Sequence, residues 1–121
     1  MIIIDTSVWI EHIRQPEVEV ALLLKRDQAL VHPFVIGELA LGNMKRHDEI
    51  IDALLQMRLA AVAQTDDVLT IIKRHALFGS GIGYVDAHLL ASAAMAAGTR
   101  IFTRDKRLAK VATALDLAYD G

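Results

Sequence analysis

Residues 1–5 read MIIID, and this short run decides which fold the chain predicts. Three successive isoleucines show no alternation of polar and apolar side chains, so the strand that they predict is buried on both faces. A strand of this kind belongs inside a parallel sheet that is covered by helices on both sides. Its last residue, Asp5, is therefore expected at the carboxyl edge of the sheet, where open α/β folds bind their ligands.

Short apolar runs alternate with longer helical ones along the rest of the chain, and this alternation predicts an α/β/α sandwich around a parallel sheet. Further strands are predicted at 29–32, 59–64 and 100–103, with a weak last strand at 117–119. Helices are predicted at 7–14, 17–26, 33–41, 47–57, 65–78, 84–97 and 106–114. Pro16 and Pro33 fall at helix starts, and either Thr65 or Asp66 is expected to cap the helix that begins there.

The composition narrows the class of protein. A chain of 121 residues predicts a single domain over 1–121. No apolar run approaches the ~20 residues that cross a bilayer, and no basic segment precedes Asp5, which favours the cytoplasm. The absence of cysteine excludes disulfides and thiolate metal sites. A formal charge of −2 argues against broad wrapping of nucleic acid but allows a local basic surface.

Four acids lie at or just past an apolar run, or near the start of a helical one. In a parallel sheet these positions gather at one edge, where carboxylates repel one another unless a cation neutralises them. An all-oxygen set of ligands suits Mg²⁺ or Mn²⁺, and the chemistry that follows is metal-assisted phosphodiester hydrolysis. The acids are Asp5 in MIIIDTSVW, Glu38 in FVIGELALG, Asp86 in GYVDAHLLA and Asp105 in IFTRDKRL.

Each acid also has an ordinary structural interpretation. Asp5, Asp86 and Asp105 lie at helix starts, where a carboxylate caps a helix or interacts favourably with its dipole. Glu38 has Phe34 among its helical neighbours, so we expect its carboxylate within an apolar surface, where it needs a metal or a salt bridge. The metal site is the favoured interpretation, because independent caps have no reason to gather at one edge.

These motifs closely resemble the PIN-domain ribonucleases and, among them, the VapC-like toxins of type II toxin–antitoxin pairs. The resemblance covers essentially the whole chain and includes GIGYVDAHLLASA and FTRDKRL. It implies an α/β/α sandwich around a parallel sheet of four to five strands, and an endoribonuclease that depends on Mg²⁺ or Mn²⁺. It also implies a homodimer, and an antitoxin that wraps the toxin and obstructs its acidic site.

The resemblance implies roles for individual residues. Asp5 and Asp86 match the principal metal ligands. Glu38 matches a third acid that helps to hold metal or to activate water, and Asp105 matches the fourth and most variable acid. Hydroxyls that support the acids by hydrogen bonding are matched by Thr6 and Thr103.

Basic residues flank the last acid. Arg104, Lys106 and Arg107 are the best candidates for gripping RNA phosphates, although a run of charge is more often only a solvated face. The glycine-rich segment 79–83 lacks the lysine of a phosphate-binding loop, so we interpret it as a flexible break before the helix of Asp86. The histidines show no close spacing typical of zinc ligands.

Two other functions fit part of the pattern. A phospho-acceptor receiver domain also gathers acids at strand ends, but it needs an acidic pair after the first strand and a lysine after the last. MIIID supplies a single acid, and LDLAYDG has no lysine. The other function is a protein-binding module whose acids bind metal for stability alone.

Overall fold

The computed structural model describes residues 1–121 and contains three strands and seven helices. The strands are β1 (Ile2–Ile4), β2 (Ala29–Leu30) and β3 (Arg100–Phe102). The helices are α1 (Thr6–Arg14), α2 (Val18–Lys25), α3 (Pro33–Leu41), α4 (His47–Leu55), α5 (Thr65–Arg74), α6 (Tyr84–Met95) and α7 (Lys106–Ala114). None of these helices is long and apolar enough to span a bilayer.

The sheet is parallel, with β1 between β2 and β3. Single bridges extend it at both edges, one joining Val31 to Leu59 and one joining Ile101 to Ala118. The predicted strands at 59–64 and 117–119 therefore lie at the two edges of the sheet, but each is reduced to one bridge. Both are edge segments that pair on one side only, so the sheet has three regular strands rather than four to five.

Helices cover both faces of the sheet, which confirms the predicted α/β sandwich. Ile3 and Ile4 point to opposite faces of β1, and both are fully buried. Buried residues from α3, α6 and α7 belong to the same core, including Val35, Leu89 and Leu108. The central strand is thus fixed by hydrogen bonds on both sides and by apolar packing on both faces, which makes it a rigid support for the residue that follows it.

The helix boundaries differ from the prediction mainly at two ends. Helix α5 ends at Arg74 rather than at residue 78, since Ala76 takes a left-handed backbone conformation with φ 51°. Its N-cap is Gln64, without a side-chain cap, so neither Thr65 nor Asp66 has the predicted capping role. Helix α6 ends at Met95, and Gly98 follows with φ 79°, a conformation that glycine tolerates best.

His32 is a fully buried histidine at the start of α3. Its Nδ1 atom accepts a hydrogen bond of 3.0 Å from the backbone N–H of Phe34, so the ring is neutral and carries its proton on Nε2. No partner accepts from Nε2. Burial and, secondarily, the nearby His88 ring lower the pKa of His32 from 6.5 to about 4.

The lowered pKa of His32 predicts a loss of stability on mild acidification. In the unfolded chain His32 takes up a proton near pH 6.5, whereas in the folded protein it does so only near pH 4. Between these values the unfolded state binds more protons, so the free energy of unfolding falls as the pH falls. The contribution of His32 to that fall is about 2 kcal/mol between pH 7 and pH 5.

Urea unfolding of the wild type and of His32→Asn at both pH values measures this contribution. Asparagine keeps an acceptor at the cap but does not titrate. We expect the pH-dependent loss to be smaller in the variant by about that amount. Equal losses in the two proteins would show that His32 does not couple folding to pH.

Candidate active site

The acids lie where the chain changes direction across the sheet. After β1 the chain forms β2 on one side of β1. The order of the strands then reverses, and β3 lies on the other side of β1. Between β1 and β3 this reversal opens a crevice at the carboxyl ends of the strands, the usual ligand site of open α/β sheets. Asp5 follows β1 and Thr103 follows β3, and the backbone N–H of Asp5 donates to the carbonyl of Phe102 at 2.9 Å.

Asp5 is buried, with 5% of its surface exposed. Its Oδ2 atom accepts hydrogen bonds of 2.7 Å from Ser7 Oγ and of 2.7 Å from Thr103 Oγ1. The carboxylate makes no capping hydrogen bond to α1 although Asp5 occupies the N-cap position. The ordinary cap interpretation of Asp5 is therefore wrong, because its carboxylate accepts from the hydroxyls of Ser7 and Thr103 and from no backbone N–H of α1.

Ser7 is a site residue that the sequence analysis missed. Its Oγ atom donates to Asp5, accepts a bond of 3.1 Å from the backbone N–H of Arg104, and lies 3.4 Å from Thr103 Oγ1. Ser7 thus joins α1 to the segment that follows β3. A serine at a helix start is common in sequences, so nothing in the pattern singled it out.

Glu38 lies on α3 and is exposed, so its carboxylate lies beside apolar side chains but remains open to solvent. The buried side of α3 carries Val35 and Leu39, whereas its apolar neighbours on the Glu38 side, Phe34 and Leu41, are themselves 37% and 91% exposed. Glu38 Oε1 accepts a hydrogen bond of 2.6 Å from Thr6 Oγ1. Thr6 therefore ties the start of α1 to this acid.

Asp86 is the acid most affected by the other three. It lies in the first turn of α6, is partly buried, and its Oδ2 atom accepts a hydrogen bond of 3.0 Å from the backbone N–H of Gly83. Burial raises the pKa of Asp86, and the charges of Asp5, Asp105 and Glu38 raise it further, while the Gly83 N–H acts in the opposite direction. Asp86 thus lies within electrostatic reach of the other three acids.

Asp105 is an exposed N-cap of α7. Its Oδ1 atom accepts hydrogen bonds from the backbone N–H groups of Arg107 at 2.9 Å and Leu108 at 3.1 Å. Its own backbone N–H donates to Thr103 Oγ1 at 3.0 Å. For this residue the ordinary cap interpretation accounts for one carboxylate oxygen and leaves the other free.

The four carboxylates share one arrangement. Each has one oxygen held by a hydrogen bond, and its second oxygen accepts none from the protein. No three acidic or histidine side chains form a group that could by itself hold a metal ion. Hard oxygen donors of this kind suit Mg²⁺, which keeps several waters and takes only one or two carboxylates directly. The donor set thus fits a largely hydrated cation.

The three basic candidates differ in their contacts. Arg104 is paired with Glu11 and Glu17, which argues against its predicted role in binding RNA. Arg107 reaches the glycine-rich segment, where its Nη1 atom lies 3.5 Å from the carbonyl of Gly81. Lys106 is exposed and forms no ion pair. Lys106 and Arg107 are therefore the cations beside the acids that remain available to a ligand.

The sequence of this chain matches the PIN domain family over residues 2–114, a range that contains all four acids. The chain belongs to the PIN-domain family. Its relatives include two proteins named Ribonuclease VapC32, from the CDC 1551/Oshkosh and ATCC 25618/H37Rv strains of Mycobacterium tuberculosis. Each is 48% identical to this PIN domain over 108 residues, which are 89% of this chain and 87% of the relative. The predicted family is confirmed, and the receiver-domain alternative is removed.

Two variants of Asp105 separate its capping role from a role in cation binding. Asp105→Asn keeps the oxygen that caps α7, so we expect its free energy of unfolding to remain near that of the wild type. We expect Asp105→Ala to lose about 1 kcal/mol with the cap. Both variants remove the charge, so both should bind Mn²⁺ about tenfold more weakly than the wild type.

Urea unfolding and calorimetric Mn²⁺ titration measure the two effects separately. An Asp105→Asn protein that binds Mn²⁺ as tightly as the wild type would reduce Asp105 to a helix cap.

Proposed function

We propose that this protein is a metal-dependent endoribonuclease and the toxin of a type II toxin–antitoxin pair. The observation that carries the proposal is that Asp5, Glu38, Asp86 and Asp105 each have one oxygen fixed by a hydrogen bond and one oxygen free, and that the charges of the other three act on Asp86. The names of the relatives support it, since both are ribonucleases called VapC32. Its proposed place of action is the cytoplasm, where RNA is available.

Mg²⁺ or Mn²⁺ is the proposed cofactor. Asp5 and Asp86 would hold the cation, and Glu38 and Asp105 would complete the site directly or through water. When bound, the cation supplies charge that polarises the scissile phosphoryl group and lowers the pKa of a water molecule. The raised pKa of Asp86 supports this proposal, because burial is its first cause and the charges of Asp5, Asp105 and Glu38 add to it, while no basic side chain is among the causes.

The contribution of the protein is to fix the acids before the substrate arrives. Ser7 and Thr103 hold one oxygen of Asp5, and Thr6 holds one oxygen of Glu38. Ligands whose second contacts are fixed need not reorganise during the reaction. The free oxygens are the ones that remain to orient a water molecule beside the scissile phosphate.

The proposed RNA contacts come from a small cationic surface. Lys106 and Arg107 lie on the first turn of α7, directly after Asp105. The chain as a whole carries a formal charge of −2, so electrostatic attraction of RNA has to be local. These two residues therefore provide the proposed phosphate contacts, next to the acids that would cleave the chain.

A groove between α1, α3 and α4 is the proposed antitoxin site. It has a volume of about 590 Å³, and its lining includes the apolar Ile13 and Ile50 and the basic Arg14 and Lys45. Such a groove fits an amphipathic helix with acidic flanks. Glu38 also lines the groove, so a bound segment would reach the acidic site.

Hydrogen exchange tests this site. Binding of the antitoxin should protect the backbone amides of residues 38–50 from exchange, and unchanged exchange there would exclude the groove.

A homodimer is the proposed assembly. The apolar side chains of Phe34, Leu41 and Tyr84 are 37%, 91% and 51% exposed, and they lie on α3 and at the start of α6. Exposed apolar surface of this kind favours association.

Sedimentation of the purified chain measures its oligomeric state directly. We expect a dimer, and a monomer at micromolar concentration would contradict the proposal.

Cleavage of RNA tests the proposed function. We expect the purified protein to cleave a mixture of single-stranded and structured RNAs with Mg²⁺ or Mn²⁺, and to lose this activity in EDTA. Asp86→Asn should lower the cleavage rate at least about 100-fold, because it removes a cation ligand while asparagine can still accept from Gly83. Asp52→Asn, at an exposed acid on α4, is the matched control and should cleave like the wild type.

Full activity of a correctly folded Asp86→Asn protein would contradict the assigned site. Stabilisation by Mn²⁺ without cleavage of any RNA in the mixture would favour the protein-binding module instead.

A further inference from the structure

We propose that Arg104 is a positioning residue of the site, and that it holds the segment 103–105 in place rather than binding RNA. The inference rests on the proposed ribonuclease function, which it deepens by separating the basic residues around Asp105 into two roles. Lys106 and Arg107 face the ligand, whereas Arg104 supports the acids.

The contacts of the Arg104 side chain are the first observation. Its guanidinium donates to Glu17 through two bonds, Nη1 to Oε2 at 2.7 Å and Nη2 to Oε1 at 2.6 Å, and Nη1 also donates to Glu11 Oε2. The paired hydrogen bonds and charge of Glu17 raise the pKa of Arg104. The guanidinium carbon lies 5.5 Å from the centroid of the Phe102 ring. Arg104 is thus held by two carboxylates and an aromatic face.

The second observation is the set of hydrogen bonds made by the backbone at and beside Arg104. Its N–H donates to Ser7 Oγ, which in turn donates to Asp5. The preceding residue, Thr103, donates to the same Asp5 oxygen, and the following residue, Asp105, donates its N–H to Thr103 Oγ1. Both hydroxyls on Asp5 therefore depend on where the segment 103–105 lies.

The ion pairs of the Arg104 side chain hold the segment 103–105 against α1 and the residue that precedes α2. Glu11 belongs to α1 and Glu17 precedes α2, so the ion pairs fasten the end of β3 to a region 87 and 93 residues earlier in the chain. An arginine whose two terminal nitrogens both donate to carboxylates is poorly placed to take a phosphate through them, because RNA would have to displace both acids. The bonds that make Arg104 unavailable to RNA also hold the segment 103–105, which positions Asp5 and Asp105.

Mn²⁺ binding to the RNA-free protein distinguishes this role from simple electrostatics. Removal of a positive charge beside four acids should, by Coulomb attraction alone, make Mn²⁺ bind more tightly. If Arg104 positions the acids, Arg104→Ala should instead bind Mn²⁺ about tenfold more weakly. Arg107→Ala is the matched control, since it removes the same charge without touching the Asp5 hydrogen bonds, and it should not weaken Mn²⁺ binding.

RNA cleavage at several salt concentrations gives the second readout. We expect Arg104→Ala to lower kcat with KM within about twofold of the wild type and with an unchanged salt slope. Loss of a phosphate contact would instead reduce the slope of log K for RNA binding against log salt concentration by about 1. This is the result expected for Arg107→Ala.

Two further variants keep the test decisive if Arg104→Ala folds poorly. Arg104→Lys keeps the charge but loses the two-bond geometry, so it should recover Mn²⁺ affinity only in part. Glu17→Gln weakens the same contact from the other side, and its effect should not add to that of Arg104→Lys in the double variant. Thermal melting of each protein identifies the folded variants.

The outcomes separate the two proposals. Wild-type or tighter Mn²⁺ binding by folded Arg104→Ala and Arg104→Lys would overturn the positioning role, even in an active ribonuclease. Weaker Mn²⁺ binding by these variants supports that role even if no RNA is cleaved, in which case the ribonuclease function is what fails.

Discussion

The structure depends on a buried negative charge, Asp5, at the end of the central strand. Strand β1 is paired on both sides and packed on both faces, so Asp5 cannot move out to water. A buried carboxylate is costly unless hydrogen bonds and positive charge compensate it. Ser7 and Thr103 supply two hydrogen bonds, each worth about 1.5–3 kcal/mol for a charged acceptor. The start of α1 and the end of β3 are therefore placed relative to each other by one carboxylate.

The same constraint explains why the site is suited to a cation. The hydroxyls satisfy one oxygen of Asp5 but bring no charge, and the nearby acids add repulsion that contributes to the raised pKa of Asp86. Arg104 forms ion pairs with Glu11 and Glu17 instead of with these acids. Because Arg104 is paired elsewhere, its charge does not neutralise these acids, and this supports the proposed binding of a cation there.

The sequence predicted the features that depend on local pattern and on chain order. A run of three isoleucines is enough to identify a central parallel strand, and the position of acids after strands is enough to gather them at one edge. The sequence pattern did not predict features that depend on residues distant in the chain but close in the fold. From the residues alone a helix cap stayed open for Asp5 and the exposure of Glu38 was not predicted, because nearby residues encode neither the contacts of Asp5 nor the exposure of α3; the Thr103 hydroxyl was expected only from the family resemblance. Ser7 and the Arg104 pairs were missed for the same reason, since their partners lie up to 97 positions away.

The central claim is that these acids form one cation site at the β1–β3 crevice, and crystals grown with Mn²⁺ test it most directly. Anomalous diffraction near the manganese edge locates the ion without reference to activity. The account predicts a manganese peak in contact with the carboxylates of Asp5 and Asp86. A fully occupied manganese site elsewhere on the protein, with an empty crevice at saturating Mn²⁺, would contradict it.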